Sequence, residues 1–130
     1  MINTYGLVLN PPIDRNKVKK VESVLGVAFP DDYVEFITYT NGAEGSIDEN
    51  YLVLWAIDEI IELNEGYSVY EFAKGLVIFG SDGGETAFAF DTRTTEMQIV
   101  AVPFIGMDLD EVTTCSKTYN GFLKYFLHTS

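Results

Sequence analysis

The sequence predicts an α+β fold: a single domain over residues 1–130, with a central, mainly antiparallel β-sheet flanked by N-terminal and C-terminal helices. Three observations carry this prediction. Apolar residues recur at helical spacing near both ends, at Val18, Val21, Val24 and Leu25 and again at Tyr119, Phe122, Leu123, Phe126 and Leu127. Between them lie apolar runs of strand length, separated by the turn-forming SDGG and DTRTT. With 130 residues, 47% of them hydrophobic, the chain can build one core and lacks the polarity of a disordered acidic tail.

The first helix opens at Asp14, which can cap it, and sets Lys17, Lys19 and Lys20 on its outer face. Gly26 sits where a left-handed C-terminal cap is wanted. After a connector at 27–29, Pro30 takes the first position of a second helix, where its missing N–H is no loss. Asp31 and Asp32 in the first turn suit the positive end of the helix dipole. The inner stripe of this helix reads Tyr33, Phe36, Ile37 and Thr40, and Asn41-Gly42 stops it. Residues 43–50, AEGSIDEN, read as an exposed loop. YLVLWAI at 51–57 is an apolar run of strand length, Asp58 caps a short helical turn through DEIIELN, and 65–74 show no clear pattern. From Leu76, LVIFG reads as a buried strand, SDGG as a turn, and ETAFAFD as a strand with Phe88 and Phe90 on one face. Ala87 and Ala89 on its other face suit close packing. DTRTT is a second turn and MQIVAVP a third strand, ended by Pro103, which cannot donate to a ladder. FIGMDLDEVTTCS is irregular or includes a short edge strand, and the closing helix follows.

The net charge of −12 comes from one stretch. Between Lys20 and Lys74 there is no Lys, Arg or His, and there are twelve acids: Glu22, Asp31, Asp32, Glu35, Glu44, Asp48, Glu49, Asp58, Glu59, Glu62, Glu65 and Glu71. The rest of the chain carries eight acids and eight bases. Burying an unpaired charge is costly, so these carboxylates face water. Their field reaches about 8 Å at physiological salt. It repels phosphate backbones and attracts basic proteins. The plainer reading of the same acids is a solvated face that keeps the protein in solution. With no basic stripe, nucleic acid is not an expected partner. No run reaches the roughly 18 apolar residues of a membrane span. MINTYGLVLNPP shows no secretory signal, and the single Cys115 cannot close an internal disulfide, so the expected location is cytoplasmic.

Catalytic chemistry is sparse. The one histidine, His128, lies two residues from the C-terminus, and a spare cysteine with a surface histidine is the simpler reading of Cys115 and His128 than a nucleophile–base pair. Zinc needs several Cys or His ligands, and one of each is present. Asp108, Asp110 and Glu111 lack the spaced ligands and pivotal glycine of a calcium-binding hand. GSDGG at 80–84 is followed by a strand and no lysine, so it is a turn and not a phosphate loop; Asp82 can bond nearby backbone amides there. No enzyme activity, cofactor or metal is expected.

Two stretches are specific in their order: LGVAFPDDYVEFITYTNG (25–42) and LVIFGSDGGETAFAFD (76–91). A helix-final glycine, an apolar-Pro-x-x-Tyr turn and Asn-Gly, then a strand, a GxDGG-type turn and a strand, resemble the SUKH superfamily (Smi/Knr-type domains). YNGFLKYFL resembles that family's closing helix, and Glu22 stands where the pattern often has a Glu. The resemblance spans about Val18 to Leu127. It implies one α+β domain that binds and does not catalyse. Bacterial members are typically immunity proteins that neutralise a cognate polymorphic toxin, often a nuclease or deaminase; fungal relatives are hubs in cell-wall signalling. Glu22, Leu25, Gly26, Pro30, Tyr33, Asn41, Gly42, Gly80, Gly83 and Gly84 then read as scaffold. Asp82 reads as turn capping or as a contact.

The expected function is a protein-binding domain, an immunity protein that meets a basic toxin domain through part of its acidic segment. The alternative is a housekeeping or regulatory module of the same fold with no toxin partner; a small hydrolase using acids alone is a third reading. Glu44, Asp48 and Glu49 are the leading contact candidates, then Glu59, Glu62 and Glu65. Tyr51 and Trp55 are candidate aromatic anchors, with a core tryptophan on a buried strand as the competing reading of Trp55. A monomer or weak homodimer is expected.

Overall fold

The computed structural model describes residues 4–47 and 49–128, with side chains through Lys124. Within them, seven strands run in chain order as one antiparallel meander: β1 (Val8–Leu9), β2 (Ala43–Ile47), β3 (Asn50–Leu54), β4 (Leu76–Ser81), β5 (Thr86–Asp91), β6 (Ile99–Pro103) and β7 (Thr113–Ser116). The helices are α1 (Arg15–Leu25), α2 (Asp31–Tyr39), α3 (Ile57–Gly66), α4 (Val69–Phe72) and α5 (Tyr119–His128). The expected α+β class, with helices near both ends of an antiparallel sheet, is what the chain adopts.

The core is aromatic where α2 and α5 meet the sheet. Phe79 and Phe90, on adjacent strands, stack with centroids 4.5 Å apart, and Tyr33 of α2 meets Phe90 edge-on at 4.9 Å. From α5, Tyr119 approaches Tyr33 at 5.1 Å and Phe122 approaches Phe88 at 5.0 Å. Most of these pairs are edge-to-face, which sets positive ring edges against negative faces and adds about 0.5–1.5 kcal/mol per pair beyond burial. The register slips between Ile78 and Gly80, so Phe79 is an extra residue in β4. Ala87 and Ala89, on the other side of β5, are fully buried as their small size suggested.

The pairing of β3 with β4 is short, Val53 with Ser81 and Leu54 with Gly80. Beyond it, α3 takes the place of a strand. The Asn64 side chain accepts from the Ile78 N–H at 2.9 Å and donates to the Ile78 carbonyl at 2.9 Å, so an amide side chain completes the ladder.

Several local expectations are corrected. Residues 43–50 are not a loop: β2 and β3 form a hairpin whose Ala43 and Ile47 are buried. β1, an edge pair with Glu44 and Ala43, was not expected. Val24 is 68% exposed, because α1 packs through Val18 and Val21. Pro30 is the residue before α2, and Thr40 lies just past its end, buried, with its hydroxyl accepting from the Asn10 N–H. Asp58 does not cap α3, which starts at Ile57 and runs for ten residues. Its N-terminal amides are met instead by Asn41, which accepts from Ile57 N–H at 2.7 Å, and by Glu59, which accepts from Ala56 N–H at 3.1 Å. The ambiguous 65–74 contains the end of α3 and the short α4. The irregular stretch after Pro103 holds a 3₁₀ turn at Leu109–Glu111 and the edge strand β7.

Candidate functional site

The register of the first three strands builds an exposed face. Residues directly opposite in an antiparallel pair point to the same side. Val8 faces Glu44, Glu44 faces Val53, and Ser46 faces Tyr51. Val8 is 73% and Tyr51 42% exposed, and Glu44 and Ser46 are exposed beside them. The opposite side carries Ala43, Ile47, Leu52 and Leu54, all in the core. One strand pair thus separates an apolar floor from a polar, partly aromatic face.

Tyr51 is the centre of that face. Its hydroxyl donates to the Glu44 carboxylate. That bond favours the neutral phenol beside a negative charge and raises the tyrosine above its usual value. The ring lies over the SDGG turn. A methyl group at Gly83 would sit 2.9 Å from Tyr51 Cδ2, and Gly83 has φ 81°. Asp82 shapes the turn, accepting from Gly84 N–H at 2.9 Å and Thr86 N–H at 3.1 Å, while the Ser81 hydroxyl accepts from Gly83 N–H at 3.1 Å. Glycine at 83 therefore lets an aromatic side chain rest on a turn held by its own side chains.

The structure brings Glu44 and Tyr51 into contact and puts the exposed Glu49 at the hairpin turn beside them; Asp48 lies outside the described residues. Glu59, Glu62 and Glu65 are exposed on α3, with Glu59 engaged at the helix start. Trp55 is corrected as an anchor. It is 8% exposed, its indole stacks on Tyr67 at 6.3 Å, and its N–H on the main chain donates to Phe79 O. Val8, Ser46 and Val53 of the same face were missed; the alternation in AEGSI, apolar at its ends and polar between, was the signal that could have found Ser46.

The acids of the segment are largely unpaired. Among the described residues the ion pair found is Arg93 with Asp91, outside it. Nine of its acids are exposed and two are half-buried with backbone partners: Glu22 accepts from Phe29 N–H at 2.6 Å, and Asp32 accepts from Asn120 N–H at 3.0 Å. Other motif residues serve the frame. Tyr33 is buried in the aromatic core, Gly26 closes α1, and Leu25 is half-buried. At Gly42 a Cβ would lie 2.7 Å from Leu54 O, and at Gly80 a Cβ would lie 2.5 Å from Val53 O, so both positions admit close backbone approach.

Cys115 is half-buried, and burial pushes its thiol up to about 11, away from the thiolate. The His128 side chain lies outside the described residues. Asp108 accepts from Asp110 N–H at 2.9 Å within its own turn. Among the described residues no three His, Cys, Asp or Glu side chains gather into a metal-binding group, and no helix is long and apolar enough to cross a membrane.

Over 69 residues the chain is 35% identical to the uncharacterized protein YnaB of Bacillus subtilis (strain 168), a match that takes in 53% of this chain and 44% of YnaB. The chain therefore aligns with less than half the length of that relative. Residues 12–127 match the family described as SMI1 / KNR4 (SUKH-1), from α1 through strands β2–β7 into α5. With nearly all of its elements inside that match, the chain belongs to the SMI1 / KNR4 family (SUKH-1).

Proposed function

We propose that this chain is a non-catalytic binding domain, an immunity protein that neutralises a cognate bacterial toxin by covering a basic surface of it with the β2–β3 face. The observation that carries the reading is Tyr51, exposed yet fixed between the Glu44 carboxylate and the bare Gly83 turn. An aromatic side chain already held in place loses little freedom on docking, and exposed aromatics are over-represented among the residues that dominate binding. The carboxylates beside it have no cation among the described residues, so a basic partner supplies what they lack. A toxin acting on nucleic acid needs a basic active-site surface, and covering that surface stops it. The single cysteine, which cannot close an internal disulfide, supports action in a reducing compartment, the cytoplasm.

The test pairs this chain with the product of a toxin reading frame immediately next to its gene. Co-expression should protect cells, and purified proteins should form a complex. Tyr51→Ala and the pair Glu44→Lys with Glu49→Lys should each weaken that complex at least tenfold, which is about 1.4 kcal/mol. A complex of unchanged affinity in both variants overturns the β2–β3 face as the interface. Absence of any toxin frame together with full function elsewhere in the cell would favour a regulatory module of the same fold.

A further inference from the structure

Away from the hairpin, the end of α1, residues of α3 and α4, and the start of β4 line a groove of about 610 Å³. That lies inside the range of roughly 300–1,000 Å³ usual for binding sites. Its floor is apolar, formed by Leu25, Val27, Ile61, Val69, Leu76 and Val77. On its two walls Val24 of α1 is 68% exposed and Tyr70 of α4 is 78% exposed, so apolar surface meets water on both sides of the floor. Glu65 and Glu71 stand on the rim, and among the described residues neither belongs to an ion pair. The one base in the lining, Lys74, holds its ammonium 5.4 Å from the centroid of the Tyr70 ring and leaves both carboxylates unmatched.

A hydrocarbon floor under two unmatched carboxylates complements a segment that offers hydrocarbon and a cation together. We propose that this groove is a second docking site, which takes a short segment of a partner protein carrying an aliphatic or aromatic side chain next to a lysine or arginine. The apolar side chain fills the space between Val24 and Tyr70, and the base reaches Glu65 or Glu71. The apolar contact supplies most of the affinity, because exposed charge pairs add little, and the base selects among partners. The groove shares no residue with the β2–β3 face, so it stands whether or not that face binds a toxin.

The experiment titrates the full isotope-labelled chain with three synthetic peptides: one with a central phenylalanine between two lysines, one with glycine in place of the phenylalanine, and one with glutamates in place of the lysines. Amide resonances of Val24, Ile61, Glu65 and Tyr70 should shift with the first, and the other two should bind at least about tenfold more weakly. Val24→Glu, at an exposed position that leaves the fold intact, should lower affinity for the first peptide, and Glu65→Lys with Glu71→Lys should abolish its advantage over the third. Equal response to all three peptides, shifts confined to the β2–β3 face, or no groove shifts up to about 1 mM peptide would overturn the proposal. Groove shifts that appear on concentrating the protein alone would also overturn it, by assigning the groove to a second copy of this chain.

Discussion

Gly83 and Gly84 are neighbours in one turn with different duties. Gly83 has φ 81° and lies beneath the Tyr51 ring, whereas Gly84 is outside the positive-φ region and a Cβ there would meet only Asp82 Oδ1, at an ordinary 3.6 Å. Gly83→Ala should destabilise by about 1 kcal/mol or more, from left-handed strain and from displacement of the ring. Gly84→Ala should be close to neutral. Urea denaturation of the two variants checks this, and equal midpoint shifts would contradict it. Asp91 makes a different kind of prediction. The Arg93 guanidinium grips its carboxylate through two bonds of 2.9 Å and holds it below its ordinary value. A depressed folded-state value means that the contribution is complete above the unfolded value of about 3.9. It is lost as pH falls through the lower folded value. The melting-temperature gap between wild type and Asp91→Asn should therefore be constant at neutral pH and shrink only in acid, below about pH 4. A gap unchanged down to pH 2 would show that the ion pair contributes nothing.

At the scale of elements, α3 is tied to the sheet by one side chain. Asn64→Leu keeps the bulk but leaves the Ile78 N–H and carbonyl without their partner, which should cost about 1–3 kcal/mol. Hydrogen exchange at Ile78 should rise with it; slow exchange in a destabilised variant would mean that packing and not the amide was lost. That tie also shows where sequence reading ends. The β4–β6 meander and α5 were legible because LVIFG, ETAFAFD and YNGFLKYFL are long, apolar and bounded by turn residues. β1 and β2 were not: β1 is only the pair Val8–Leu9, too short to show a period, and the glutamate, glycine and serine inside β2 read as loop. The start of α3 was misplaced for a non-local reason: its cap is Asn41, sixteen positions before Ile57. Within the candidate site, the types of Glu44 and Tyr51 were informative, but their contact depends on the hairpin register. Trp55 lay in a run apolar at nearly every position, 51–57, whose periodicity could not say which side chains face inward.

Across the whole molecule, the charge is lopsided: twelve acids lie between Lys20 and Lys74 with no base among them, and the eleven described ones are exposed or half-buried. Their field is long-ranged at low salt and confined to about 8 Å at physiological ionic strength. If that field guides a basic partner to the β2–β3 face, the association rate should fall steeply as salt rises while dissociation changes little. Reversing Glu44, Asp48 and Glu49 together should flatten the salt dependence and leave the melt nearly unchanged, because Glu44 and Glu49 are exposed and exposed carboxylates contribute little to stability. Reversing Asp31 and Asp32 should act the other way. These acids occupy the first turn of α2, and Asp32 also accepts from the Asn120 N–H at the start of α5, so the melt should drop with little change in the salt slope. Binding kinetics across a salt series, beside melts of both variants, separate the two roles. Salt-insensitive association that survives the triple reversal would move the interface off the acidic segment and leave its charge to solubility alone.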